Sequence, residues 1–379
     1  MGLALRFSFL ESIGVNYRFL THAHSHIAML GWVYLMLFTL FVHYFVPVET
    51  KLFNRLFWLT ESAVIGMMIS FPLQGYAAIS ITFSTLHIFC SYCFVYLIWK
   101  HGKSTSVVSE KLLKTALLFM GVSTIGVWCL GPVVAIFGSA SAIYQIAIQF
   151  FLHFQFNGWF LIAVIAVFFH LLKVEDCKLF RQFYRLLVVS TVLTFALPVQ
   201  WFAPYNSLLW INGCGVSLQV VMLFKFHRLI KPKINAFIDK DVTLVFYMYR
   251  FAFVCFIIKV LCQFLSILPE FSQVVYNHRN FVIGFIHLLM LGVISGGLFA
   301  FVLKSHLLST SKTLNFGIYS FLFGFVLTEL LLLIQGGLFY FGGGLIPHYY
   351  ILLFLFSIFL PLGISLLLYN IIKHKTYAT

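Results

Sequence analysis

Charge is scarce in this sequence. Of 379 residues only 9% are charged, and Asp and Glu together number 10. A chain that is 62% hydrophobic, with a mean hydropathy of +1.01, has too little polar surface to clothe a soluble fold. Residue-by-residue alternation of apolar and polar side chains is also missing, which excludes a membrane β-barrel. Cysteines are few. Of the 7, Cys90 and Cys93 form a C-x-x-C, but within an apolar run, where packing rather than thiol chemistry is expected. Cys177 falls in a charged loop, and no disulfide framework is implied. Residues 1–20 lack the pattern of a cleavable signal and read as a surface or interfacial segment. The net charge of +14 comes with no nucleic-acid motif, so a nucleic-acid partner is not expected.

What the chain has is long apolar runs. Eleven can be counted, at roughly 24–46, 55–78, 82–100, 112–137, 142–172, 182–203, 207–226, 243–268, 280–303, 313–336 and 348–372. Runs of about 18 or more residues cross a bilayer as helices. The connecting segments alternate. Those carrying Lys51 and Arg55, then Lys100 to Lys114, Lys173 to Arg185, Lys225 to Lys240, Lys304 and Lys312, and finally Lys373 and Lys375 are basic. Those between them hold almost no charge. Basic loops stay inside, so the N-terminus is expected outside and the C-terminus inside. The fold class expected is an all-α polytopic membrane protein, one integral domain over 1–379, with the lipid bilayer as its first partner.

Histidines supply the chemistry. Thr21-His22-Ala23-His24-Ser25-His26 opens the first run, and His26-Ile27-Ala28-Met29-Leu30-Gly31 is echoed by His287-Leu288-Leu289-Met290-Leu291-Gly292 in the ninth. Both helices run from outside to inside, which puts the two histidines at comparable depth. Two neutral imidazoles facing each other are the axial set of a low-spin haem. A single histidine at a helix end is more simply an interfacial side chain; the repetition raises the haem reading. Gly31 and Gly292 would admit either a ring or a neighbouring helix. His87, His153, Lys259 and Glu329 are costly inside a membrane and therefore candidates for function. Lys259 could pair with Glu329, neutralise a haem carboxylate, or simply snorkel.

These residues resemble subunit I of the haem-copper oxidase superfamily, including the large subunits of bacterial nitric oxide reductases. His24-Ser25-His26 with Leu30-Gly31-Trp32 is similar to the low-spin haem motif on that family's second helix. His153 with Asn157-Gly158 is similar to the sixth-helix motif, and His287 to the low-spin ligand of the tenth. With the family's first helix absent, eleven spans match its second to twelfth. The resemblance implies a haem-copper-oxidase-like bundle in a bacterial cytoplasmic membrane, alongside respiratory-chain subunits. The departures are equally specific. The segment 182–203 has no histidine where the family carries a His-His pair, and Phe285 stands where the high-spin haem ligand would be.

The reading is a relative that has lost the reactive metal pair. It would keep one low-spin b-type haem on His26 and His287, with His24 as the alternate first ligand and Lys259 as a carboxylate partner. Copper is not expected. His153 is at most a weak metal ligand, through which oxidoreductase activity would have to run. Electron transfer, haem handling or sensing would be its role. The alternative is a haem-free transporter or accessory subunit with a proton or ion pathway.

Overall fold

A computed structural model describes residues 1–47, 51–104, 106–237, 243–305 and 311–378. Lys240 lies outside the described residues, as does the side chain of Lys375. The chain is helical throughout, with no strand among the described residues. Eleven helices are long and apolar enough to cross a membrane. They are Tyr17–Phe45 (span 1), Lys51–Gln74 (span 2), Ala78–His101 (span 3), Val107–Phe137 (span 4), Ala142–Leu171 (span 5), Lys178–Phe202 (span 6), Asn206–Ile234 (span 7), Leu244–Leu265 (span 8), Arg279–Lys304 (span 9), Lys312–Tyr340 (span 10) and Tyr349–Lys373 (span 11).

Span 1 begins well before its apolar run. Asn16 caps it: the Asn16 side-chain oxygen accepts from the backbone N–H of Arg18 and Phe19. The whole histidine tract is therefore helical. Ahead of it lies a short N-terminal helix, Gly2–Phe7, packed against spans 1 and 11. Between spans 8 and 9, Pro269–Asn277 forms a further short helix with proline at its start, where the missing N–H costs nothing. The Trp201 indole N–H donates to Ser272 and fastens that helix to span 6.

Neighbouring spans pack side by side, while spans 1, 5 and 9 share the centre. Tyr34 and Phe41 of span 1 meet Trp159 of span 5 at ring-centroid distances of 6.3 and 5.4 Å. Trp32 of span 1 donates to the Ser295 hydroxyl of span 9 at 2.9 Å. A Cβ on Gly297 of span 9 would lie 3.0 Å from Val164 of span 5.

These three helices share a further feature. Each contains a π-helical segment: Ile27–Val33, Phe154–Phe160 and Leu288–Ser295. The residues immediately before those segments are His26, His153 and His287. A π segment inserts an extra residue, frees backbone carbonyls and is frequent at functional sites. Here His87 of span 3 reaches across to the Leu30 carbonyl at 3.3 Å. Spans 5 and 9 also pack unevenly. From His153 to Val167 every residue is buried, and Leu288 to Ala300 is nearly so. Before those points, Asn280 to His287 contains no buried residue on any face. These two helices are solid beyond their histidines and loose before them.

Gly31 and Gly292 serve helix packing. A Cβ on Gly31 would lie 3.0 Å from Val64 of span 2, and one on Gly292 would lie 2.8 Å from the Cys255 sulfur of span 8. The C-x-x-C is split by helical geometry, with Cys90 buried and Cys93 exposed, both free thiols.

Candidate haem-binding site

On a helix each residue turns the side chain by about 100°, so a spacing of two points to opposite faces. His22 and His26 share one face and His24 takes the other. The His26 ring packs on Phe71 at 4.4 Å, and the His22 ring on Tyr76 at 4.7 Å. His26 Nδ1 lies 2.8 Å from the His22 carbonyl, and Nε2 lies 3.2 Å from the Tyr76 hydroxyl. A carbonyl can only accept, so Nδ1 carries the proton and Nε2 accepts from Tyr76. Both ring nitrogens of His26 are thus engaged.

His24 looks the other way. Its ring lies against the N-terminal helix, where a Cβ on Gly2 would meet Cε1 at 3.2 Å. It is close enough to His287 for their charges to interact. Among the described residues His24 forms no side-chain hydrogen bond and stacks on no ring. The spacing brings His24, not His26, towards His287.

His287 is held from span 10. Its Nδ1 lies 3.4 Å from Glu329 Oε1, with side-chain exposures of 23% and 18%. One turn earlier, Gly284 makes room for that carboxylate, since a Cβ there would sit 3.3 Å from Glu329 Oε2. A carboxylate on one ring nitrogen orients the imidazole and leaves Nε2 for a metal. The pairing of Glu329 with Lys259, one of three options the sequence left open for that lysine, is not formed: Glu329 stands beside His287 instead. Span 9 places position 329 of span 10 beside its own histidine, whereas Lys259 stands on span 8.

Arg6 completes the cluster. Its charge is felt by His24, His287 and Glu329. Burial pushes the guanidinium below its usual pKa, opposed by Tyr349, Tyr17 and Glu329. It stays charged even so. It makes no hydrogen bond or ion pair among the described residues. Nothing in the sequence reading pointed to it. The available signal was one lone cation in the apolar stretch Leu3-Ala4-Leu5-Arg6-Phe7.

Lys259 and His153 form a second polar centre. Lys259 is 1% exposed and lies where its charge reaches His153. It forms no hydrogen bond or ion pair among the described residues. His153 Nε2–H donates to the Thr191 carbonyl of span 6 at 2.8 Å. Asn157 donates weakly to the His153 carbonyl at 3.4 Å, while its Oδ1 and the Trp159 N–H find no partner among the described residues. Among the described residues no three His, Cys, Asp or Glu side chains gather to hold a metal ion.

The donor set around His24 and His287 fits a bis-imidazole haem. Two rings lie within electrostatic reach of each other; His24 makes no side-chain hydrogen bond among the described residues, and His287 has a carboxylate 3.4 Å from Nδ1. An unpaired guanidinium stands beside them, and the start of span 9 is loosely packed. Compared with known proteins, the chain matches no family model and no curated protein sequence.

Proposed function

We propose that this is a membrane-embedded b-type haem protein related to subunit I of the respiratory oxidases, with one low-spin haem held by His24 and His287. The observation that carries this reading is the convergence of these two imidazoles beside an unpaired arginine. His26, the other first-helix candidate, has both nitrogens engaged, so the proposal takes His24. Arg6, not Lys259, is the cation suited to the haem carboxylates. The four-span interval between central helices also supports the relationship. Here spans 1, 5 and 9 carry the histidines; in the oxidase family helices 2, 6 and 10 do so.

When bound, a bis-imidazole haem supplies reversible one-electron transfer and leaves no open iron position. The protein's own groups have separable tasks. Glu329, 3.4 Å from Nδ1, would set the ring plane and tautomer of His287 once that contact closes to a hydrogen bond. Gly284 lets that carboxylate approach. Arg6 compensates negative charge at the site, which the nearby bilayer could not solvate. Trp32 and Ser295 tie spans 1 and 9 together just past the histidines and fix their separation. We take the protein's role as electron transfer, haem handling or sensing, since the segment 182–203 carries no histidine to join His153. We place the N-terminus outside and the C-terminus inside a bacterial cytoplasmic membrane, on the loop charges.

The test is a reduced-minus-oxidised visible spectrum of the purified protein after expression with ample haem. Sharp reduced b-type bands are expected, absent in His287→Ala and His24→Ala. A colourless preparation would refute the reading, and carbon monoxide binding by the native protein would refute six-coordination.

A further inference from the structure

A second site lies away from the histidines. Spans 5, 7, 8 and 9 enclose a cavity of about 250 Å³ towards the basic end of the bundle. Its walls are apolar: Val164, Ile165, Ile230, Phe253, Val293 and Phe301 among them. Its mouth carries Lys231 of span 7 and Arg250 of span 8, with His227 beside them. All three are exposed. No Asp or Glu lines the cavity.

The cations are the informative feature. Two other lysines near this end are paired: Lys225 donates to Gln182, and Lys233 donates to the Lys173 carbonyl. Lys231 and Arg250 form no hydrogen bond or ion pair among the described residues. Two unpaired cations at the rim of an apolar slot suit an anionic head with an apolar tail. The volume chooses the tail. Sites for drug-sized ligands run to about 300–1,000 Å³, and this slot falls below that range, so it admits part of one acyl chain, the rest lying along the bundle surface. The location agrees, because anionic lipids are drawn to basic segments at the cytoplasmic face, where the loop charges put this end.

We propose that this cleft binds an anionic phospholipid, one acyl chain between spans 5, 7, 8 and 9 and the phosphate against Lys231 and Arg250. The site is independent of the haem reading.

Delipidated protein is titrated with dioleoylphosphatidylglycerol, dioleoylphosphatidylcholine or inorganic phosphate. Retained lipid is read by native mass spectrometry and the unfolding temperature is followed alongside. Phosphatidylglycerol alone should be retained and raise the unfolding temperature. Lys231→Gln with Arg250→Gln should weaken it about thirty-fold. Both positions are exposed, so the variant keeps its fold, which its unchanged unfolding temperature without lipid would verify. Equal binding of phosphatidylcholine, an equal shift with phosphate alone, or an unaffected double variant would each overturn the proposal.

Discussion

Replacing His24 and His26 one at a time separates the two roles the structure assigns to one short tract. His26→Ala removes two hydrogen bonds, at 2.8 and 3.2 Å, and a ring contact with Phe71 at 4.4 Å. Hydrogen bonds inside membrane proteins contribute about 0.6 kcal/mol on average, and aromatic contacts about 0.5–1.5 kcal/mol. The loss should total about 2–3 kcal/mol. His24→Ala removes no side-chain hydrogen bond and no ring contact among the described residues, so the haem-free protein should lose under about 1 kcal/mol. Haem content should respond in the opposite order. His26→Ala should keep the reduced b-type bands, and His24→Ala should lose them. The assay is a pyridine haemochrome measurement paired with unfolding of haem-free protein in mixed micelles. If His26→Ala is colourless while His24→Ala keeps its bands, the assignment of ligand and scaffold is reversed and the helical-phase argument fails.

Three other perturbations test neighbouring parts of the structure. Glu329→Ala, which strips His287 of its orienting carboxylate, should weaken haem retention about 10–100-fold, measured by transfer to apomyoglobin; unchanged transfer would show that the carboxylate does not support the ligand. In the same assay Arg6→Ala should speed haem loss and Arg6→Lys should restore part of it, whereas equal loss in both would assign Arg6 to shape rather than charge. Lys259→Met should stabilise the protein by about 2 kcal/mol or more, since a fully buried amine without a partner is exchanged for an apolar chain; destabilisation would reveal that the amine has a partner in the bilayer.

The spans were legible because their signal is local. A run of about 20 apolar residues has one solution in a bilayer, and all eleven expected runs became helices of suitable length. The start of span 1 was less so. His22, His24 and His26 made the tract look like surface, yet Asn16 caps the helix ahead of them. The choice between His24 and His26 was in principle readable from helical phase, but only once the tract was known to be helical. The Met-Leu-Gly echo drew attention to His26, and its glycines turn out to admit Val64 and Cys255. The pairing of Glu329 with His287, and the arrival of Arg6 beside both, depend on which spans become neighbours. No local pattern encodes that.

The π segments also bear on how such a protein can vary. In spans 5 and 9 the π segment stands between a tightly interlocked half-helix and a histidine-bearing half with room around it, and span 1 has the same segment directly after His26. One residue removed from 27–33 would relax that stretch to ordinary α-helix and leave the faces on either side nearly in phase, because the wider π turns already take up the extra residue's rotation of about 100°. His24 would still face the same way. The π segment therefore works as a length buffer, letting the chain lose a residue without turning the imidazoles that precede it.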